Sequence, residues 1–141
     1  MSHLFSHLRV SSEFSISQGL LTIDQIVENA SRFSMPSIAL TDKSNMFGMV
    51  KFFNKCESAG IKPISGVTIR TIFDGDDKSY EILCLAKTNI GHKNLMKIIS
   101  NAHNSNSFNV PIIKFDDLIS LKDDILTVSY THLTLPTSSQ V

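Results

Sequence analysis

The sequence has no surplus of either charge: thirteen Lys and Arg balance thirteen Asp and Glu. The part up to Phe73 is slightly basic and the rest slightly acidic. Gripping nucleic acid by its phosphates takes a concentration of basic side chains, so these residues are not expected to form a main DNA-gripping surface. Cysteine is scarce, with only Cys56 and Cys84, both in apolar or helical surroundings. Buried free thiols are expected there rather than a disulfide framework. No apolar run approaches the ~20 residues of a membrane span. Met1-Ser2-His3-Leu4-Phe5 has neither the basic start nor the apolar stretch of a secretion signal. No internal repeat is visible. These absences point to a soluble, cytoplasmic chain with no membrane partner. Of its 141 residues, 42% are hydrophobic and 18% charged, a composition able to bury a real core.

The apolar pattern divides the chain into alternating elements. A short strand is expected at His7–Val10. Thr22-Ile23-Asp24-Gln25 reads as a capping box, with Thr22 as N-cap and Gln25 three residues on. Ile23, Ile26, Val27 and Ala30 give that helix its apolar stripe, and Met35-Pro36 stops it. Ser37–Thr41 suits a buried strand. A second helix follows Asn45, with Met46, Met49, Val50, Phe53 and Cys56 as its stripe and Gly60 as a left-handed C-terminal cap. Lys62-Pro63-Ile64 leads into a strand with Val67, Ile69, Thr71 and Phe73 alternating on one face. A turn at Asp74–Lys78 returns it through Tyr80–Ala86. A third helix is expected over Ile90–Ala102, with Leu95, Ile98, Ile99 and Ala102 inward. A polar loop follows at Asn104–Ser107, then a short helix at Phe115–Leu121 and a last strand from Ile125. Strand and helix alternate with one hairpin, which argues for an α/β domain with a largely parallel sheet.

Three segments carry a more specific signal. They are Phe5-Ser6-His7-Leu8-Arg9-Val10-Ser11-Ser12-Glu13-Phe14-Ser15 ending at Gly19, Ala39-Leu40-Thr41-Asp42-Lys43-Ser44-Asn45-Met46-Phe47-Gly48, and Gly60-Ile61-Lys62-Pro63-Ile64-Ser65-Gly66. A weaker fourth runs from Leu85-Ala86-Lys87 through Gly91-His92-Lys93-Asn94-Leu95. In this order and spacing they resemble the N-terminal part of the PHP domain (polymerase and histidinol phosphatase domain) that opens bacterial replicative polymerase α subunits. The match runs over about residues 5–127. The resemblance implies an incomplete α/β fold, the first part of a distorted (β/α)7 barrel of TIM-like form. Its site would lie at the C-terminal ends of the strands.

Active members of that family hold divalent metals with His, Asp and Glu, a cluster able to activate water and clamp a phosphoester. By the same resemblance, this chain departs at most of those positions. Arg9 and Ser11 stand where active members have His-x-His, and Gln18 where they have Asp before the glycine. Lys43 follows Asp42 in place of His, and Thr68 replaces an acid. Only Asp42 keeps a ligand-type side chain, and His7 survives as the leading residue of its motif. Protonated Arg and Lys have no lone pair for a metal. Arg9 and Lys43 are therefore expected to pair with Asp42, side-chain charge replacing metal charge, with no metal and no catalytic residue in these residues.

The resemblance further implies a parent protein that performs DNA-templated DNA synthesis, with magnesium at aspartates elsewhere. This domain would be a scaffold docking the proofreading exonuclease subunit beside other polymerase III holoenzyme subunits, and DNA would be reached through the parent protein. The alternative is an active metal-dependent phosphoesterase or 3′–5′ exonuclease. Val128-Ser129-Tyr130-Thr131-His132-Leu133-Thr134-Leu135-Pro136-Thr137 resembles a translated sequencing adaptor. Residues 1–127 are accordingly read as PHP domain and 128–141 as a non-native tail.

Overall fold

The structure, a computed structural model, describes residues 5–15, 19–104 and 111–129. The chain divides into two compact units, residues 1–67 and 68–141.

The first unit holds α1 (Ile23–Arg32), β1 (Ser37–Leu40), α2 (Met49–Ala59) and the first half of β2 (Lys62–Ile72). Thr22 caps α1 as the sequence predicts: its hydroxyl accepts from Gln25 N–H at 3.2 Å, and the Gln25 side chain accepts from Thr22 N–H at 2.9 Å. The helix ends at Arg32, and Ser34 turns the chain with a positive φ of 54° before Pro36. β1 and β2 pair in parallel, Ser37 opposite Lys62 and Leu40 opposite Ser65. The core joins Ile23, Ile26, Val27 and Ala30 of α1 to Ile38, Leu40, Met49, Phe52, Cys56 and Ile61.

Two expectations for this unit need correction. The inward stripe of α2 is Met49, Phe52 and Cys56, whereas Val50 is 75% exposed and Phe53 37% exposed. The helix is rotated so that Phe52 fills the space against α1. Residues 7–10 are not a regular strand, although Ala39 N–H donates to His7 O and Thr41 N–H to Val10 O, at 3.1 and 2.8 Å. Gly60 ends α2 in the left-handed region, φ 73°, as predicted.

The second unit holds the rest of β2 with β3 (Ser79–Ala86), α3 (Asn89–His103), β4 (Ile112–Lys114), α4 (Phe115–Ser120) and β5 (Ile125–Ser129). β2 and β3 are neighbours joined through the turn around Gly75, whose φ is 80°. β4 pairs β2 in parallel, Arg70 opposite Ile112, and β5 pairs β3 antiparallel, Ala86 opposite Ile125. The pairing here is therefore mixed, not largely parallel. β4 is absent from the sequence reading because three residues are too few to show a period. α3 buries Gly91, Leu95, Ile98 and Ala102. A cavity of about 230 Å³ lies between β3, α3, α4 and β5, lined among others by Ile82, Ile98, Leu118 and Ile125. Both cysteines are buried free thiols, and burial pushes Cys56 up to about 11 and Cys84 to about 12.

β5 continues through Val128 and Ser129, opposite Leu83 and Ile82. The remainder of the stretch read as a tail, residues 130–141, lies outside the described residues, as do Gln18 and most of the expected polar loop, residues 105–107. No helix among the described residues is long and apolar enough to cross a membrane.

Candidate functional site at Asp42

Asp42 lies just past the end of β1, where the chain leaves the sheet and must turn toward α2. A carboxylate there is only 1% exposed. An ionised carboxylate is an acceptor with room for about four hydrogen bonds, and burying it without partners is costly. Three donors meet it. Oδ1 accepts the Ser12 N–H at 2.6 Å and the Ser15 hydroxyl at 2.7 Å, and Oδ2 accepts the Ser12 hydroxyl at 2.6 Å. The O–H···O contacts have the short lengths of charge-assisted bonds.

The two serines are themselves held. Both are fully buried. Ser12 Oγ accepts the Phe14 N–H at 3.1 Å, and Ser15 Oγ accepts the Lys43 N–H at 2.9 Å. Thr41 Oγ1 accepts the Val10 N–H at 3.0 Å. Asn45 spans the two loops through its amide, donating to Phe14 O at 2.9 Å and Lys43 O at 3.2 Å. Between them Ser44 takes a positive φ of 56°, an unfavourable conformation for a residue with a side chain that this network over-determines. Gly19 closes the first loop, its N–H donating to Ser15 O at 3.0 Å. A Cβ at Gly19 would fall 1.6 Å from the Ser12 carbonyl oxygen, so only glycine fits.

The positions expected to matter are distributed as follows. Asp42 and the Lys43 backbone belong to this cluster, with Lys43 itself half-buried. Ser11 is half-buried, and Arg9 and His7 are exposed. The His7 ring stands edge-on to Phe5 at 4.8 Å between centroids. Thr68 is buried in β2, at the start of the second unit. Ser12 and Ser15 are the residues the sequence reading missed. They bring two hydroxyls and a backbone amide to Asp42.

A divalent metal cluster does not fit this donor set. Three of the acceptor positions on Asp42 already receive hydrogens, and a cation would have to displace them. Among the described residues, no group of three or more His, Cys, Asp or Glu is placed to hold a metal ion. Nor is Ser12 or Ser15 poised as a nucleophile, because neither is reachable by solvent.

The family model of the PHP domain matches residues 7–136. DNA polymerase III subunit alpha of Borreliella burgdorferi is 36% identical over 134 residues, covering 89% of this chain and 12% of that protein. The same subunit of Escherichia coli (strain K12) is 38% identical over 128 residues, covering 89% and 11%. That of Vibrio cholerae is 40% identical over 101 residues, covering 70% and 9%. The chain thus spans about a tenth of the length of these relatives. Among solved structures, a protein described as a metal-dependent phosphoesterase from Bifidobacterium adolescentis superposes with a TM-score of 0.54 at 17% identity, over 84% of this chain and 44% of that one. An amidohydrolase from Chromobacterium violaceum gives 0.52 at 21% identity, over 66% and 32%. These likenesses concern the fold alone, an α/β barrel type of which this chain holds part. With the family model matched over nearly its whole length, this chain belongs to the PHP domain family.

Proposed function

We propose that this chain is the N-terminal part of the PHP domain of a DNA polymerase III α subunit, and that it acts there as a metal-free scaffold docking the proofreading exonuclease subunit. The polymerase assignment is supported by the 36–40% identity to α subunits over most of the chain. The non-catalytic reading is carried by one observation: the ligand-type carboxylate that remains, Asp42, is occupied by Ser12 and Ser15 donors. DNA synthesis would use magnesium and carboxylates outside these residues. A phosphoesterase or exonuclease would need Asp42 free to reach a cation, and Arg9 and Lys43 would bring positive charge to positions where a metal needs lone pairs.

The test is a pull-down of the exonuclease subunit by the α subunit that carries this domain, with elemental analysis of the purified complex. Capture that is lost on deleting the domain, with no stoichiometric zinc or manganese in the domain, is the expected result. Capture unaffected by the deletion removes the docking role. One or more equivalents of bound metal, with manganese-dependent release of nucleotides from a DNA 3′ end, establishes the enzyme instead.

A further inference from the structure

In the first unit the stretch 7–15 runs beside the end of β1 and the loop 41–47 that follows it, and the two share the backbone bonds Ala39 N–H to His7 O and Thr41 N–H to Val10 O. What joins their far ends is polar and buried. Asp42 reaches across from one loop, and Ser12 and Ser15 meet it from the other, 30 and 27 residues away in sequence. A buried carboxylate supplies only acceptors, so either hydrogen-bond donors or a cation must hold it.

We infer that Ser12 and Ser15 are positioning residues that do this work through Asp42, forming a metal-independent lock between the two loops. The inference deepens the scaffold reading above and rests on it for the absence of a cation. Each serine has a double role. Ser15 Oγ donates to Asp42 Oδ1 and accepts from Lys43 N–H, so one hydroxyl fixes both the carboxylate and the backbone that follows it. Ser12 donates twice, from its amide to Oδ1 and from its hydroxyl to Oδ2, which sets the plane of the carboxylate. Ser12 Oγ also accepts from Phe14 N–H, so the hydroxyl proton is left to point at Asp42. A serine hydroxyl has one proton and two acceptor positions, and this arrangement uses the proton and one acceptor at both residues. A cation would be superfluous at such a site, and its charge would face three inward-pointing protons.

The lock is tested on the whole purified chain by amide hydrogen exchange and proton–nitrogen NMR, with and without chelator and with one equivalent of manganese or zinc. In the unaltered chain the Ser12 amide is expected far downfield, as the short bond to a carboxylate requires. It and the Lys43 amide exchange slowly, and neither chelator nor metal changes this. Ser15→Ala is expected to accelerate Lys43 exchange by about 10- to 100-fold, the equivalent of one hydrogen bond in a charged network, and to move the Ser12 resonance although residue 12 is untouched. Ser12→Ala, which keeps its amide, is expected to release the Phe14 amide as well. Metal-dependent protection of Ser12 or Lys43 in the unaltered chain overturns the inference. So does a Ser15→Ala chain whose Ser12 resonance and Lys43 exchange are unchanged. The pull-down separates the two claims: docking lost with the lock intact leaves the lock standing and removes only the partner.

Discussion

Replacing Asp42 by Ala and by Asn separates a carboxylate held by geometry from one held by charge. Alanine removes the acceptor of three donors on two fully buried serines, and no other partner for them lies in the described network. Hydrogen bonds to a charged group contribute about 1.5–3 kcal/mol each, and a stranded buried donor costs about 1–3 kcal/mol. Relief from burying the charge offsets part of the sum. The expected loss is about 3–5 kcal/mol, a large share of a domain stability of roughly 5–15 kcal/mol. Asparagine keeps one oxygen for the Ser12 amide and the Ser15 hydroxyl but turns an NH₂ toward Ser12 Oγ. That hydroxyl must then rotate to accept while still accepting from Phe14. One bond of three is reversed, which strands the Ser12 hydroxyl proton, and all three lose their charge assistance, so about 1.5–3 kcal/mol is expected. Urea unfolding followed by circular dichroism gives both numbers, in low salt and in 0.5 M sodium chloride. Equal losses for the two variants would refute the geometric account, since charge alone would then matter. So would a loss that shrinks markedly in high salt, because screening acts on exposed cations such as Arg9 and not on buried hydroxyls.

Two further substitutions probe the second unit. Gly91→Ala sets two effects against each other: alanine favours the helix by up to about 1 kcal/mol, but its Cβ would fall 2.2 Å from the Asp124 carbonyl oxygen. That carbonyl also accepts the Lys87 N–H at 2.8 Å and belongs to a residue with φ 60°, so it has little freedom to retreat. Overpacking costs about 1–3 kcal/mol, so a net loss of about 1–2 kcal/mol in a thermal or urea melt is expected; a more stable variant would contradict the close approach. At Asp76, the Lys78 N–H and the Tyr80 hydroxyl hold the carboxyl below its ordinary 3.8, and the same bond holds the Tyr80 phenol above 10. A depressed carboxyl contributes stability above 3.8 that is lost as pH falls through the folded value. A raised phenol contributes below 10 and is lost as pH rises through its folded value. Asp76→Asn is therefore expected to flatten the acid limb of stability against pH and to bring the Tyr80 transition, read by phenolate absorbance, down toward 10.

The elements whose determinants are local were legible in the sequence. Thr22 and Gln25 cap a helix because both partners lie within one turn, and Gly60 ends another because one residue must adopt positive φ. The rotation of α2 was not legible. Met49, Val50, Phe52, Phe53 and Cys56 cover so much of its circumference that two stripes are possible, and contact with α1 selects the one through Phe52. β4 was missed because a strand of three residues is defined by its neighbour β2 and not by its own pattern.

The site divides along the same line. Asp42 could be found from its motif, since the residues around it are contiguous. Its partners could not, because Ser12 and Ser15 become partners only when β1 and the extended segment before Ser11 lie side by side. The expectation put Arg9 and Lys43 at Asp42, and the donors described there are the Ser12 amide and the Ser12 and Ser15 hydroxyls. It assumed that a buried anion left by a lost metal must find a cation. A carboxylate needs protons directed at its lone pairs, and hydroxyls or amides supply them without bringing a second charge out of water. On that argument the hydroxyls of residues 12 and 15 are what hold the Asp42 carboxylate in place.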